Sequence, residues 1–341
     1  MDASVSVVVI NWNGRRHLER CLPSLVNQAT PPCEIIVVDN GSNDGSVEWL
    51  RASYPWVRLI ENASNLGFAP ASNQAFAIAR GDYIATLNND AWAEPNWLAE
   101  LTRVIQSDSI LGMCASKMLF ADRPHMINST GINLDWAGIA WDRRGGEMDD
   151  GRESHPVEVF GACAGAALYR RSMLEELGAF DEDFFAYLED VDLAWRARLA
   201  GWRCVHVPSA VVHHHHSATG GEGSPFKNYL LGRNKLWLLV KNYPMPYFLR
   251  YLPIILLYEF GTLFYSLLAR GDTSAMRGRL AALRRIQTAW RKRRSVQSSV
   301  RNTRVWASLV QPVESPWKVL KRYGHLAAVK PDAAGKALDI T

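Results

Sequence analysis

Cysteine is scarce in this 341-residue chain: Cys21, Cys33, Cys114, Cys163 and Cys204 are widely spaced, odd in number and without a CxxC pair. That scatter excludes a disulfide framework and a zinc ribbon, and it points to a reducing compartment. Charge is also modest, 21% against an apolar fraction of 48%, which excludes a disordered chain and fits a globular one. The opening residues MDASVSVVVINWNG show neither a basic leader region nor a long apolar one, so no signal peptide is expected. No internal repeat or low-complexity tract is present. The length suffices for one large domain or two ordinary ones with a substantial core.

The charge that is present is unevenly spread. Arg270 to Arg304 holds eleven Arg/Lys against the single acid Asp272, leaving 27 basic and 33 acidic residues elsewhere, a net of −6. A mildly acidic body with a basic tail implies an anionic partner, nucleic acid or a lipid surface.

The first half alternates strand-like and helix-like segments. Strands are expected at Val5–Asn11, Glu34–Asp39, Val57–Glu61 and Asp82–Leu87. Helices are expected near 14–27, 46–53, 69–80 and 95–106. This alternation predicts an α/β fold with a mostly parallel sheet and helices on both faces. Further on come a β excursion at 132–141, a Gly/Ala-rich turn at Gly161–Gly165, and helices at 171–177 and about 189–200. Short strands follow at 204–207 and 210–213, and the chain is helical in character beyond Phe226.

Ligands of such sheets sit beyond the carboxyl ends of the strands. Three polar clusters fall there: Asn11-Trp12-Asn13, Asp39-Asn40-Gly41-Ser42 and Asn88-Asn89-Asp90. Asp39, directly after four apolar residues, is placed to accept hydrogen bonds from a base or ribose, whereas Asp44 reads as a helix cap. In Asn88-Asn89-Asp90, one carboxylate beside amide oxygens suits a hard cation that shares its shell with phosphates. An Asx-turn capping the next helix explains the same residues equally well. Glu189-Asp190-Val191-Asp192 opens a helix ending in Arg196 and Arg198. Dipole complementarity and an Asp192–Arg196 pair account for the charges, and Asp190 as a general base is the functional alternative. His213 to His216 form a four-histidine run after a strand, either surface loop or one imidazole completing a metal shell.

Taken in order, VSVVVINWNG, EIIVVDNGSNDGS, NLGFAPASNQA, GDYIATLNNDAWAEPNWL, GACAGAALYRRSMLEELGAFDEDFFAYLEDVDLAWRARLAGW and HHHSATGG…YLLGRNKLWLLVKNYP resemble family 2 of the inverting, nucleotide-sugar-dependent glycosyltransferases. The likeness spans about Val5–Tyr243 and is nearest to rhamnosyltransferase-like bacterial members that build surface polysaccharides. It implies the GT-A fold over residues 1–243, with a helical, basic extension over 244–341. By position, Asp39 matches the residue that binds the pyrimidine base, with Asn11, Asn13, Asn40, Asn65, Asn88, Asn89 and Arg233 around the donor. Asp90 matches the metal-binding carboxylate of the DxD element, whose first position is Asn88 here, and His214 matches the histidine of an H-x-x-S segment. His213 and His216 leave that register open. The implied cofactor is Mg²⁺ or Mn²⁺. Asp190, with Glu189 beside it, matches the catalytic base, and Asn234 completes an RN pair with Arg233. On the acceptor side the expectation places Gly161, Cys163, Gly165 and Trp195, with Trp136 and Trp141 as further aromatics.

The donor implied is dTDP-rhamnose or a UDP-sugar, and the acceptor an oligosaccharide or polyprenyl-linked glycan. A sugar-phosphate nucleotidyltransferase and a non-catalytic glycan-binding scaffold are the rivals. The nucleotidyltransferase's Gly-rich phosphate loop is missing after strand one, where NWNGRRH stands. In the tail, Tyr247–Ala269 is apolar but interrupted by Arg250 and Glu259, leaving stretches shorter than the ~20 residues of a spanning helix. A buried helical hairpin is one expectation. The other is an interfacial helix on an anionic membrane, on the cytoplasmic face, with Arg/Lys on the lipid. Nucleic acid is not expected, since no recognition fold is evident.

Overall fold

The computed structural model describes residues 4–215, 223–315 and 317–318. The chain forms two compact units, one of Met1–Ile132 with Asp142–His216, the other of Asn133–Trp141 with Ser217–Thr341.

The first unit opens with β1 (Val5–Asn11), α1 (Arg15–Val26), β2 (Glu34–Asp39), α2 (Ser46–Ser53), β3 (Arg58–Glu61), α3 (Phe68–Ile78) and β4 (Tyr83–Leu87). It continues through β5 (Ala91–Ala93), α4 (Trp97–Gln106), β6 (Leu111–Phe120), β7 (Ile127–Ser129) and β10 (Val157–Glu158); between the last two, the short pair β8 (Ile132–Leu134) and β9 (Ala140–Asp142) has its residues 133–141 in the second unit. It closes with β11 (Ala166–Arg170), α5 (Arg171–Leu177), α6 (Glu189–Leu199) and β12 (Arg203–His214). The main sheet runs β10-β12-β6-β11-β4-β1-β2-β3. β1 is parallel to β2 and β4, β2 to β3, and β12 to β6, while β11 runs antiparallel between β4 and β6.

The β-branched runs of β1 and β2 are buried almost throughout, as strands covered on both faces must be. On α1 the buried positions Leu18, Cys21, Leu22 and Leu25 recur at helical spacing. Each buried leucine there stabilises the contact with the sheet by about 1.5–3 kcal/mol. Register then does the positioning. Asn11 lies opposite Asp39, and Val8 opposite Thr86, so the carboxyl ends of β1, β2 and β4 share one edge.

The expected alternation is present, with three differences. β6 (LGMCASKMLF) is a ten-residue inner strand whose Gly, Met, Cys and Ser carry little β signal; its burial between β12 and β11 makes it a strand. The Gly/Ala-rich turn leads at once into β11. The two short strands expected at 204–207 and 210–213 are one strand, with a register shift between Val207 and Val211 around Pro208.

The second unit holds α7 (Pro225–Asn242), α8 (Met245–Arg270), α9 (Ser274–Arg284), α10 (Ile286–Ser298) and α11 (Thr303–Leu309). α7 and α9 approach closely at glycines: a Cβ at Gly278 would stand 2.0 Å from the Tyr229 carbonyl oxygen. Trp237 Nε1 donates to Ala282 O across the same contact at 3.1 Å. The apolar segment is neither a hairpin nor two short pieces. It is one 26-residue helix, long and apolar enough by length and composition to cross a membrane.

Candidate active site

The carboxyl edge of the sheet is wired by side chains. Asn11, fully buried, donates through Nδ2 to Asp39 Oδ2 at 2.8 Å and accepts through Oδ1 from Asn89 Nδ2 at 2.8 Å. Asp39 also accepts from Ser42 N at 2.8 Å. Asn13 adopts φ 50°; its N–H donates to Ser42 Oγ and its Oδ1 accepts from Asn43 N, both at 2.8 Å. Gly14 is required here, because a Cβ would meet Asn89 Nδ2 at 2.1 Å. Asp44 precedes Gly45, the N-cap of α2, and its carboxylate accepts from Ser46 N at 3.1 Å and from Arg15 N of α1 at 2.9 Å. Asn40 is buried and spent on the fold: it donates to Asn65 Oδ1 and Gly67 O and accepts from Asn62 Nδ2. Asn65 in turn accepts from Gly67 N at 2.9 Å, closing the Asn-Leu-Gly turn.

Asp90, buried just past β4, faces His214 at the end of β12: Oδ1 and Nε2 are 3.2 Å apart. His214 Nδ1 is fixed by Asn128 Oδ1 at 2.8 Å, and the Asn88 amide lies 3.3 Å from Nε2. Burial opposes ionisation of Asp90, but His214, His17 and His215 outweigh it and hold the carboxyl below its ordinary value. The same contact overcomes burial at His214 and raises its pKa. Because neighbouring side chains alternate along a strand, His213 points elsewhere. It stacks on Trp92 and bonds Glu94 Oε1 at 2.8 Å, so of these two histidines it is His214 that meets Asp90. His216 and the serine of the H-x-x-S segment lie outside the described residues.

Asp190 reaches the same place from the far side of the sequence. Asn88 N donates to Gly165 O at 2.8 Å, and one residue earlier Ala164 N donates to Asp190 Oδ2 at 3.1 Å. Val191 N binds the other oxygen at 2.8 Å. A hydrogen-bonded path therefore joins Asp39, Asn11, Asn89 and, through the 88–90 and 164–165 backbone, Asp190. The Asp190 side chain is half-buried, not sealed. Burial, with Asp142 nearby, pushes its pKa up to about 6 despite the two backbone donors. Glu189 is buried, and burial plus Asp190 and Asp192 push it well above the carboxylate range. Burial and the neighbouring carboxylates therefore oppose ionisation of both adjacent acids.

The segment before α6 holds this geometry. Phe185, Tyr187 and Leu188 all have φ between 63° and 68°, left-handed backbone costing about 1–3 kcal/mol each. Phe185 O accepts from Ala69 N at 3.0 Å, against Gly67, where a Cβ would stand 2.5 Å from that oxygen. Inside α6, Asp192 and Arg196 form the expected i,i+4 pair at 2.8 Å, fully buried at the aspartate.

Gly161 and Gly165 allow close packing: a Cβ at Gly161 would meet Ala194 at 2.3 Å, and one at Gly165 would meet Met118 and Asn88 at 3.1 and 3.2 Å. Cys163 is near Asp190; burial first, then Asp142 and Asp190, push its thiol well above the ordinary range. Trp195 does not line an acceptor surface. It is fully buried, edge-on to Phe160, because α6 turns that face into the core. Trp136 and Trp141 belong to the second unit, where Trp136 stacks on Tyr251 at 4.4 Å. Arg233 is also there, bonded to Asn234 Oδ1 at 2.9 Å and lying over Trp237. The sequence reading named Ser42 only within its polar cluster and missed Asn128, Asp142 and His17. Only His17 carried a signal, its place just after the first polar cluster.

The model of the family described as "Glycosyl transferase family 2" matches residues 6–178. The N-acetylglucosaminyl-diphospho-decaprenol L-rhamnosyltransferase of Mycobacterium tuberculosis is 30% identical over 251 residues, 65% of this chain and 79% of that one. The putative glycosyltransferase EpsH of Bacillus subtilis is 28% identical over 201 residues, 54% of this chain and 55% of that one. Among solved structures, the mannosyltransferase PcManGT from Pyrobaculum calidifontis with GDP-Man and Mn²⁺ covers 96% of this chain and 87% of its own, at 20% identity and TM-score 0.54. GalNAc-T7 with UDP, GalNAc and Mn²⁺ covers 68% of this chain and 50% of its own, at 17% identity and TM-score 0.54. These two likenesses establish the GT-A fold.

Proposed function

The chain belongs to glycosyl transferase family 2 and is a glycosyltransferase, and from that premise we propose that it moves rhamnose from dTDP-rhamnose to a polyprenyl-diphosphate-linked glycan with inversion at the anomeric carbon. One observation carries the reading: Asp39, Asp90 and Asp190, remote in sequence, are joined along one edge of the sheet through Asn11, Asn89 and the 164–165 backbone. Similarity to a rhamnosyltransferase named for a decaprenol-linked acceptor supports the donor and acceptor classes.

Asp39 accepts hydrogen bonds from the nucleotide's base, held ready by Asn11 and Ser42. Asn13 and Asn89 extend the polar edge on which the donor is laid. Asp90 and His214, whose Oδ1 and Nε2 lie 3.2 Å apart, are the residues that would hold a divalent cation. Among the described residues no three His, Cys, Asp or Glu cluster as a complete set, so such an ion would need the donor's diphosphate to be held there. Mg²⁺ or Mn²⁺ bound there supplies positive charge to the departing diphosphate. Asp190 takes the acceptor hydroxyl proton as that oxygen bonds to the anomeric carbon and the bond to the diphosphate oxygen breaks. Attack from the face opposite the leaving group inverts the configuration. Burial and the adjacent Asp190 and Asp192 oppose a negative charge on Glu189 beside the base. An acceptor of this kind places the enzyme at the cytoplasmic face of the membrane.

Thermal shift against a set of nucleotide-sugars, each with and without Mn²⁺, tests the donor. A donor that binds only the folded state raises the melting temperature, and dTDP-rhamnose with Mn²⁺ is expected to raise it most. A larger shift with a UDP-hexose reassigns the donor, and no shift with any of them overturns the reading.

A further inference from the structure

α8 carries its apolar residues on the wrong side for a soluble helix. Leu249, Leu256, Leu257, Phe260, Phe264 and Leu268 form one stripe, at spacings of three, four and seven, and their exposure runs from 45% to 70%. Only Ile255 and Glu259 are buried on the opposite side. Glu259, the sole acid of the helix, is taken up there, paired with Lys235 Nζ and Arg279 Nε at 2.6 Å each. The outward face is thus left without negative charge. A contiguous exposed apolar face of this kind marks an interaction surface.

Charge decides its partner. The exposed side chains that follow on α9 and α10 interleave Leu280, Leu283 and Trp290 with Arg277, Arg284, Arg285, Arg291 and Arg294. Arg250 and Arg270 stand exposed toward the two ends of α8. A second copy of the chain would set like charges against like. A membrane rich in anionic lipid offers both an apolar layer for the stripe and phosphates for the arginines. We propose that α8 is a membrane-docking helix lying in the headgroup boundary of an anionic bilayer rather than crossing it, with the exposed arginines of α8, α9 and α10 drawing the second unit to anionic lipid. The inward side argues against crossing, because insertion would carry Glu259 into hydrocarbon or strip it from Lys235 and Arg279. This inference stands on the second unit alone and does not depend on the donor or on Asp190.

Flotation of the full chain with vesicles of phosphatidylcholine alone, and of phosphatidylcholine with phosphatidylglycerol, tests it at low and high salt. Binding is expected to the anionic vesicles, to weaken as salt rises, and to fall at least about tenfold in Arg284→Gln/Arg285→Gln/Arg291→Gln/Arg294→Gln. Leu257→Glu/Phe260→Glu/Phe264→Glu should bind at least about tenfold less while keeping its melting temperature, since these side chains are exposed. Alkaline carbonate should release the bound protein. No binding to anionic vesicles at low salt overturns the proposal. So does resistance to carbonate, which means a crossing helix, or a concentration-dependent dimer that the Glu variant disperses, which means a second copy. Hydrolysis of the donor sugar by the Glu variant at the unaltered rate keeps this test separate from that of the proposed reaction.

Discussion

Replacing Asp190 with Asn removes the proposed base and a strained charge together, so catalysis and stability are expected to move in opposite directions. The carboxyl has an ordinary pKa of 3.8 and is pushed up to about 6, chiefly by burial, with Asp142 adding to it. The folded state therefore holds the proton more tightly than the unfolded chain. Its contribution to stability is fully present below pH ~4, is lost as pH rises toward 6, and stays lost above. A rise from 3.8 to about 6 corresponds to about 3 kcal/mol, an upper bound because the residue is only half-buried. At pH 7.5 Asp190→Asn should therefore melt higher than the parent protein, and the gap should close toward pH 4. Transfer should fall by about 10²–10⁴-fold, the usual contribution of a general base. In the parent protein the rate should drop about tenfold per pH unit below 6, since only the ionised carboxylate accepts a proton. Melting curves from pH 4 to 8 and transfer assayed over the same range check both halves. A variant that retains a tenth of the activity, or melts lower at pH 7.5, refutes the reasoning.

Three further outcomes follow from the geometry. Asn128→Ala frees the ring of His214 and should weaken Mn²⁺-dependent nucleotide binding by about 10–100-fold, read by calorimetry, with the fold intact. Gly67→Ala sets a Cβ 2.5 Å from Phe185 O at φ 93° and should cost at least about 1–3 kcal/mol in denaturant melts, with transfer lost as the 185–188 segment shifts. His213→Ala, whose partners are Glu94 and Trp92, should leave metal-dependent binding unchanged, whereas His214→Ala should remove it.

Much of the polar carboxyl edge of the sheet was legible in the sequence because its logic is local. Asp39 and Asn88-Asn89-Asp90 follow apolar strands directly, and parallel strands bring their carboxyl ends to one edge. The reach of Asp190 to that edge was not legible from spacing. It depends on β11, whose AALYR reads as the end of a turn and becomes a strand only by pairing with β4 and β6. Asn128 and Asp142 were hidden for a related reason. They arrive on short strands, β7 and β9, without periodicity, and matter only through what folds against them. Trp195 shows the opposite error: a tryptophan suggested a sugar platform, but α6 is buried on nearly every side, so its indole belongs to the core.

The separation of donor binding from proton removal is tested most directly by titrating dTDP with Mn²⁺ into Asp39→Ala, Asp90→Ala and Asp190→Asn by calorimetry. The first two should bind at least tenfold more weakly, and the third within about twofold of the parent protein. Loss of binding in Asp190→Asn, or full binding in both of the others, contradicts the account.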